Sequence, residues 1–277
     1  RYMRNWKYGI SFAEVSPLTA PLPLAGDLYE NMETAAAYGY DAVEFHTLPS
    51  FHFEWDRIEH MRQQKKGDIC MLVTGRLYTQ LHYCLISDDP ENVKSAVSGL
   101  KEYIDQAQKL GVDIVLGWVK GSVPQGGDRD IYMARLANGL SQLNDYARPR
   151  NVRIMIEVIN HYETNIFNTA QETLDFICTH ALDQCYVHLD TYHMGLEEMD
   201  PYEAIHLCGK KLGYFHVADN SRRYPGSGQF DFGRLMQALA DIGYDGYVTV
   251  ECLPEPDRDT AAKKAIDYLK ICEPKSC

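Results

Sequence analysis

Short, nearly continuous apolar runs alternate along the chain with longer stretches in which apolar residues recur every three to four positions. The runs are "YGISFA" (Tyr8–Ala13), "DAVEF" (Asp41–Phe45), "DICMLV" (Asp68–Val73), "DIVLGW" (Asp113–Trp118), "VRIMIEV" (Val152–Val158), "CYVHLD" (Cys185–Asp190), "GYFHVA" (Gly213–Ala218) and "GYVTVE" (Gly246–Glu251). Runs with so little alternation fit strands of a parallel sheet that is buried on both faces.

The stretches between them carry helix signals. "DLYENMETAAAYGY" places Leu28, Met32, Ala35 and Ala36 at helical spacing. "DPENVKSAVSGLKEYIDQAQKLGVD" opens on an Asp-Pro start signal and closes at Gly111, a C-cap residue. "DIYMARLANGLSQLNDYA", "NTAQETLDFICTH", "DPYEAIHLCG", "DFGRLMQALADIG" and "DTAAKKAIDYLKIC" continue the pattern. Three of the helices end in glycine just before a strand, in "YGYDAVEF", "LGVDIVLG" and "IGYDGYVTV". Strand–helix alternation repeated about eight times predicts a (β/α)8 TIM barrel, with a doubly wound open sheet as the alternative. No linker or charge block divides the chain, so residues 1–277 are expected to form one catalytic domain. The proline-rich "SPLTAPLPLAGD" reads as the loop after the first strand.

Charge narrows the function. Lys+Arg number 27 against Asp+Glu 39, a net charge of −12. That balance disfavours nucleic acid and anionic membranes as partners and suits a divalent cation held by carboxylates. The 8 cysteines are spaced singly, without the close pairs of a zinc or redox motif, which points to a reducing cytoplasm. The N-terminal "RYMRNWKYGISF" lacks the apolar run of a signal peptide, its missing initiator Met suggests a trimmed start, and no run reaches membrane-spanning length.

In a barrel, chemistry sits at the C-terminal ends of the strands. Those ends carry Glu157 after "RIMI", Asp190 after "YVHL", His216 within "YFHVA" and Glu251 after "YVTV". Any one of them alone reads as a solvated strand end. Four on successive strands read as a site, because charges are rarely buried unless paired or metal-bound. Three carboxylates and one imidazole favour Mn²⁺, Mg²⁺ or Co²⁺ over a thiolate-type zinc site.

"EVINHYETN", "HLDTYHM", "FHVADNSRRYPGSGQFDF" and "GYDGYVTVEC" together resemble the xylose isomerase-like barrel superfamily. Within it they are most similar to the ketose 3-epimerases of D-tagatose and D-psicose type and to 5-keto-L-gluconate epimerase. The resemblance extends over most of the chain, including "GDLYENMETAAAYGYDAVE". It implies that Glu157, Asp190, His216 and Glu251 bind one divalent metal ion, that Glu163, His193 and Arg222 contact substrate, and that Trp118 lines the pocket. It further implies a homo-oligomer, dimer or tetramer, acting on a free ketose or keto sugar acid. Epimerisation beside a ketone removes a proton from one face and returns one to the other through an enediolate. Glu157 and Glu251 suit the two bases, since they lie on the fifth and eighth predicted strands. The same barrel also hosts aldose–ketose isomerases, dehydratases and subunits of C-glycoside-cleaving enzymes. "ADNSRR" departs from the Gly-Glu-Cys-Asn wording of many ketose 3-epimerases and is closer to the keto-acid relative, and His161 stands where arginine is frequent.

Other residues read more plainly. His46 and His82 follow the second and third strands, where the endonuclease IV branch binds zinc; here they are expected to line the pocket or a loop. His52 and His60 are expected to be exposed. The glycines of "PGSG" read as a tight turn rather than a phosphate cradle, and lead into a helix capped by Asp231. Periodicity leaves Phe51, Phe53, Trp55, Tyr78 and Tyr83 open among core, sugar-stacking wall and subunit contact.

Overall fold

A computed structural model describes residues 4–275. Parallel strands β1 (Lys7–Ala13), β3 (Ala42–His46), β4 (Ile69–Val73), β5 (Asp113–Leu116), β6 (Ile154–Glu157), β7 (Cys185–Asp190), β8 (Leu212–Val217) and β9 (Tyr247–Val250) pair in chain order. Pairing of β1 with β9, Lys7 opposite Tyr247 through Ile10 opposite Val250, closes the barrel and excludes the open sheet. The loop after the first strand contains a two-residue strand, β2 (Leu24–Ala25), which pairs with the end of β1.

Helices α1 (Leu28–Tyr38), α2 (Trp55–Gln63), α3 (Arg76–Thr79), α4 (Pro90–Leu110), α5 (Arg129–Ala147), α6 (Ala170–Thr179), α7 (Thr191–Glu197), α8 (Pro201–Cys208), α9 (Phe232–Asp241) and α10 (Arg258–Ile271) lie in the connections. Their ends follow the capping signals. Asp89 accepts from the Glu91 N–H ahead of Pro90, and Gly111 closes α4 at φ 72°. Asp231 caps α9 through the Arg234 N–H. Apolar faces of the helices pack against the outside of the barrel. On α9, Leu235, Met236 and Leu239 are fully buried, and truncating one such leucine to alanine costs about 2–5 kcal/mol. Of the aromatic residues, Phe53 is buried between Phe45, Phe51 and Trp55, with Phe51, Trp55 and Tyr83 partly buried against the core and Tyr78 exposed; His52 and His60 are exposed.

Several strands are shorter than the apolar runs. β5 ends at Leu116 because Gly117 turns the backbone (φ −107°, ψ −106°) into a 3-10 turn over Trp118–Lys120. Glu251 lies just past the end of β9. Inside the barrel the lower layer is apolar, with Ala42, Cys70, Val73, Val115 and Met155 around Tyr214. Above it the interior turns polar. The register places Ser11 beside Glu44, Glu157 beside His188, and Asp190 beside His216, with His216 also beside Thr249. The described cysteines are free, and Cys70, Cys185, Cys208 and Cys252 are buried; Cys277 lies outside the described residues. Among the described residues, no helix is long and apolar enough to cross a membrane.

Candidate metal centre and active site

The four strand-end residues converge. One donor atom from each of Glu157, Asp190, His216 and Glu251 lies within 4.8 Å of the others. Ligands about 2.1 Å from a shared ion stand at most about 4.2 Å apart, so a small contraction would close the set around a cation.

Each side chain is aimed by its strand end. Asp190 also caps α7: its Oδ1 accepts from the Tyr192 N–H at 2.8 Å and the His193 N–H at 3.4 Å. Its Oδ2 is left toward His216 Nδ1, 3.5 Å away. Glu157 leans over the turn after β5, where a Cβ on residue 117 would stand 2.3 Å from its Oε2, so a larger residue there would displace the carboxylate. Glu251 is buried, with Oε2 3.4 Å from His216 Nδ1 and 3.6 Å from His46 Nε2. Neither Glu157 nor Glu251 accepts a hydrogen bond from another described residue.

His216 is held from behind. Its Nε2 is 2.5 Å from Glu44 Oε2, which also accepts from Tyr214 Oη at 2.7 Å. The other oxygen of Glu44 accepts from Ser11 Oγ at 2.6 Å and pairs with His46 Nε2 at 2.8 Å. Glu44 is therefore saturated, and it fixes the proton of His216 on Nε2. His216 Nδ1 is buried and has no hydrogen-bond partner. A ring nitrogen so placed among three carboxylates fits a ligand to a divalent cation, which would displace any proton from it. His188 packs edge-to-face on His216 (4.2 Å, 90°), with both ring nitrogens unpartnered; burial holds it neutral.

The electrostatics follow from crowding. Burial pushes Glu157 up to about 7, against the pull of His216 and Lys120. Burial also drives Glu251 well above the carboxylate range, helped by Glu44, Glu157 and Asp190 and opposed by His216. Asp190 resists its burial, because His193 and His216 hold it below its ordinary value. Burial would lower His216, yet Glu251 and Glu44 raise it well above the usual imidazole value. Lys120 is fully buried, donates to the Gly117 carbonyl at 3.2 Å, and is lowered by burial to about 8.

A second group lies beside the first. Asn160 donates its side-chain N–H to Glu163 Oε2 at 2.7 Å and approaches His193 Nδ1 at 2.8 Å, while its backbone N–H points to the same nitrogen at 3.3 Å. His193 Nδ1 is thus an acceptor, and the ring proton sits on Nε2. Arg222 reaches Glu163 at 3.8 Å and lies over the Tyr192 ring at 4.6 Å. Trp118 stands 40% exposed at the rim, outside this cluster. His161 is also at the surface, where its Nδ1 pairs with Glu197 at 2.5 Å. His82 is exposed in a loop, whereas His46 reaches the site through Glu44 and Glu251.

Sequence reasoning missed Glu44, Asn160, Lys120 and His188. Glu44 is a lone acid in the middle of a buried strand, and that isolation was its only signal.

Residues 32–272 match the family described as xylose isomerase-like TIM barrel. The chain is 29% identical over 251 residues to a D-psicose 3-epimerase of Enterocloster bolteae, covering 88% of this chain and 81% of that protein. It is 30% identical over 234 residues to a ketose 3-epimerase of Arthrobacter globiformis, covering 82% and 77%. A crystal structure of D-allulose 3-epimerase from Methylomonas sp. with D-allulose superposes with a TM-score of 0.80 at 26% identity, covering 98% of each chain.

Proposed function

The chain belongs to the xylose isomerase-like TIM barrel family, and on that premise we propose that it is an isomerase, a divalent-metal-dependent epimerase of a free ketose or keto sugar acid. The observation that carries this reading is the pair Glu157 and Glu251. They are two carboxylates with raised proton affinity and no hydrogen-bond partner, and they converge with Asp190 and His216 within 4.8 Å. Relatives named as ketose 3-epimerases support the reaction type.

A cation held by Glu157, Asp190, His216 and Glu251, Mn²⁺ by preference and Mg²⁺ or Co²⁺ as substitutes, supplies Lewis-acid stabilisation of negative charge on substrate oxygens. The protein supplies the proton movements. Glu157 and Glu251 come from β6 and from just past β9, so one takes the proton from the carbon beside the ketone and the other returns one to the opposite face. Which acts first depends on the configuration of the substrate carbon. His193 offers its Nε2–H to a substrate oxygen. Arg222 presents a planar, permanently charged fork to the ketone end. Glu163, tied to Asn160 and near Arg222, sets the positions of both. Trp118 contributes to the pocket wall. The same reading carries a homo-oligomer, and a cytoplasmic location resting on the singly spaced cysteines.

Solvent exchange tests the proposal. Metal-loaded protein is incubated in D₂O with D-fructose, D-allulose, D-tagatose, L-ribulose and keto sugar acids. Deuterium should appear at one carbon beside the ketone, together with the inverted sugar. Deuterium at C1 with aldose formation would make the protein an aldose–ketose isomerase, and loss of water would make it a dehydratase. No exchange across the panel would sink the epimerase reading.

A further inference from the structure

The loop after β8 is organised around one side chain. Asp219 is buried, at 1% exposure, and its carboxylate accepts four backbone N–H groups. Oδ1 takes those of Asn220 at 2.9 Å and Phe230 at 3.1 Å; Oδ2 takes those of Gly226 and Gly228, each at 2.9 Å. A carboxylate has room for about four such bonds, so Asp219 keeps nothing for a substrate or a cation. Gly228 is required for this cage, since a Cβ there would stand 2.5 Å from Asp219 Oδ1 and 2.2 Å from Asn220 Oδ1.

The ring of chain closed in this way contains Arg222, whose backbone is left-handed at φ 64°. Arginine has no intrinsic reason to adopt that conformation, and such strain persists only where the surroundings dictate it. The surroundings here are visible. The Arg222 N–H donates to the Asp219 carbonyl and the Asp219 N–H to the Arg223 carbonyl, both at 2.8 Å. The Arg222 carbonyl accepts from the Leu253 N–H at 2.8 Å, which ties the loop to the segment that follows Glu251.

We propose that Asp219 is the positioning residue that holds Arg222 over the site, acting on turnover through Arg222 without touching substrate or metal. The inference rests on the reading of Arg222 as a substrate contact.

A double-mutant cycle tests it, with Asp219→Asn, Arg222→Ala and the double variant. The readouts are kcat/KM for the sugar that wild type exchanges fastest in the deuterium panel, Mn²⁺ affinity, and hydrogen exchange at the loop amides. The side-chain amide introduced by Asp219→Asn would replace one acceptor oxygen with a donor facing two N–H groups. Asp219→Asn should lower kcat/KM about 10- to 100-fold, the scale on which small misplacements act. In the Arg222→Ala background the same change should cost less than about twofold, as expected for residues acting through one another. Mn²⁺ affinity should not change, and the Gly226, Gly228 and Phe230 amides should lose protection. Gly228→Ala, which disturbs the cage without altering charge, should repeat this pattern and serves if Asp219→Asn fails to fold. An equal loss in both backgrounds, a matching loss of metal affinity, or no loss overturns the inference while leaving the epimerase reading intact. Full kcat/KM in Arg222→Ala alone would instead remove Arg222 as a substrate contact, and the inference with it.

Discussion

At the N-terminal ends of the strands, Asp68 and Asp113 meet Arg62 and Arg153 around an opening of about 280 Å³. Asp68 is 2.6 Å from Arg62, Asp113 is 2.9 Å from Arg153, and Asp41 accepts the Tyr8 N–H at 2.8 Å. At the C-terminal ends the carboxylates Glu44, Glu157, Glu163, Asp190 and Glu251 face Arg222, Lys120 and the imidazoles of His46, His193 and His216; neither Arg222 nor Lys120 is within salt-bridge distance of Glu157 or Glu251, and Glu251 lies 3.4 Å from His216 Nδ1. At the N-terminal end Asp41, Asp68 and Asp113 each have a partner. The other end buries more carboxylates than it has lysines or arginines to answer, and Glu157 and Glu251 respond by holding their protons more tightly. An acid at a strand end is thus no sign of function in itself; the end proposed as the active site is the one where Glu157 and Glu251 have no lysine or arginine partner.

The largest expected effect separates the two ends directly. Glu157→Gln or Glu251→Gln should abolish net epimerisation, a loss of about a thousandfold or more, since general acid–base groups contribute on that scale. Metal is supplied in excess and its occupancy measured, because each variant also loses a ligand. Near-normal turnover at full occupancy would break the two-base account.

Glu44 comes next. Glu44→Gln should weaken Mn²⁺ binding about 10- to 100-fold, as removal of a group orienting a ligand histidine does. Equilibrium dialysis reads this without any substrate. Unchanged affinity would mean that His216 keeps its tautomer and aim without Glu44.

A pH comparison sharpens the contrast further. Glu157 is raised to about 7 and Glu251 lies well above the carboxylate range, both chiefly by burial. The chelated folded protein therefore holds protons that the unfolded chain has released, and its stability falls as pH rises from the ordinary carboxylate range through about 7. His216, raised by Glu251 and Glu44, adds the same sign. Glu44 and Asp190 are lowered, so their contribution is lost only at more acid pH. A cation displaces the protons of Glu157 and Glu251, so the Tm gain on adding Mn²⁺ should be larger at pH 8 than at pH 5. An equal gain at both values would deny the proton linkage.

The paired end should respond weakly. Asp113→Asn should leave kcat/KM within about twofold and cost about 1 kcal/mol or less, since Arg153 is partly exposed and screened. A large kinetic loss there would erase the distinction between the ends.

The parallel strands were legible because strands buried on both faces are continuous apolar runs, such as "DIVL" and "YVTV", whereas closure into a barrel rests on the β1–β9 pairing that no run displays. Glu157, Asp190 and Glu251 were legible for a related reason: a charge at the end of such a run breaks the pattern. Glu44 was not, because its importance lies in a register that sets it beside Ser11 and in reach of His216, 172 residues away in sequence. Lys120 looks like a solvated loop residue until the turn at Gly117 folds it inward. The cage around Asp219 was half visible in its glycines, which announced a turn but not the carboxylate at its centre.

The most direct test of the account is a calorimetric titration of chelated protein with Mn²⁺ at neutral pH, run in two buffers of different ionisation enthalpy. The account requires about one ion per chain and release of about one proton or more as Glu157 and Glu251 become ligands. Asp190→Asn should weaken that binding, while Asp113→Asn should leave it intact. Absence of binding, several tightly bound ions per chain, or binding without proton release would contradict a cation-completed site at the C-terminal end of the barrel.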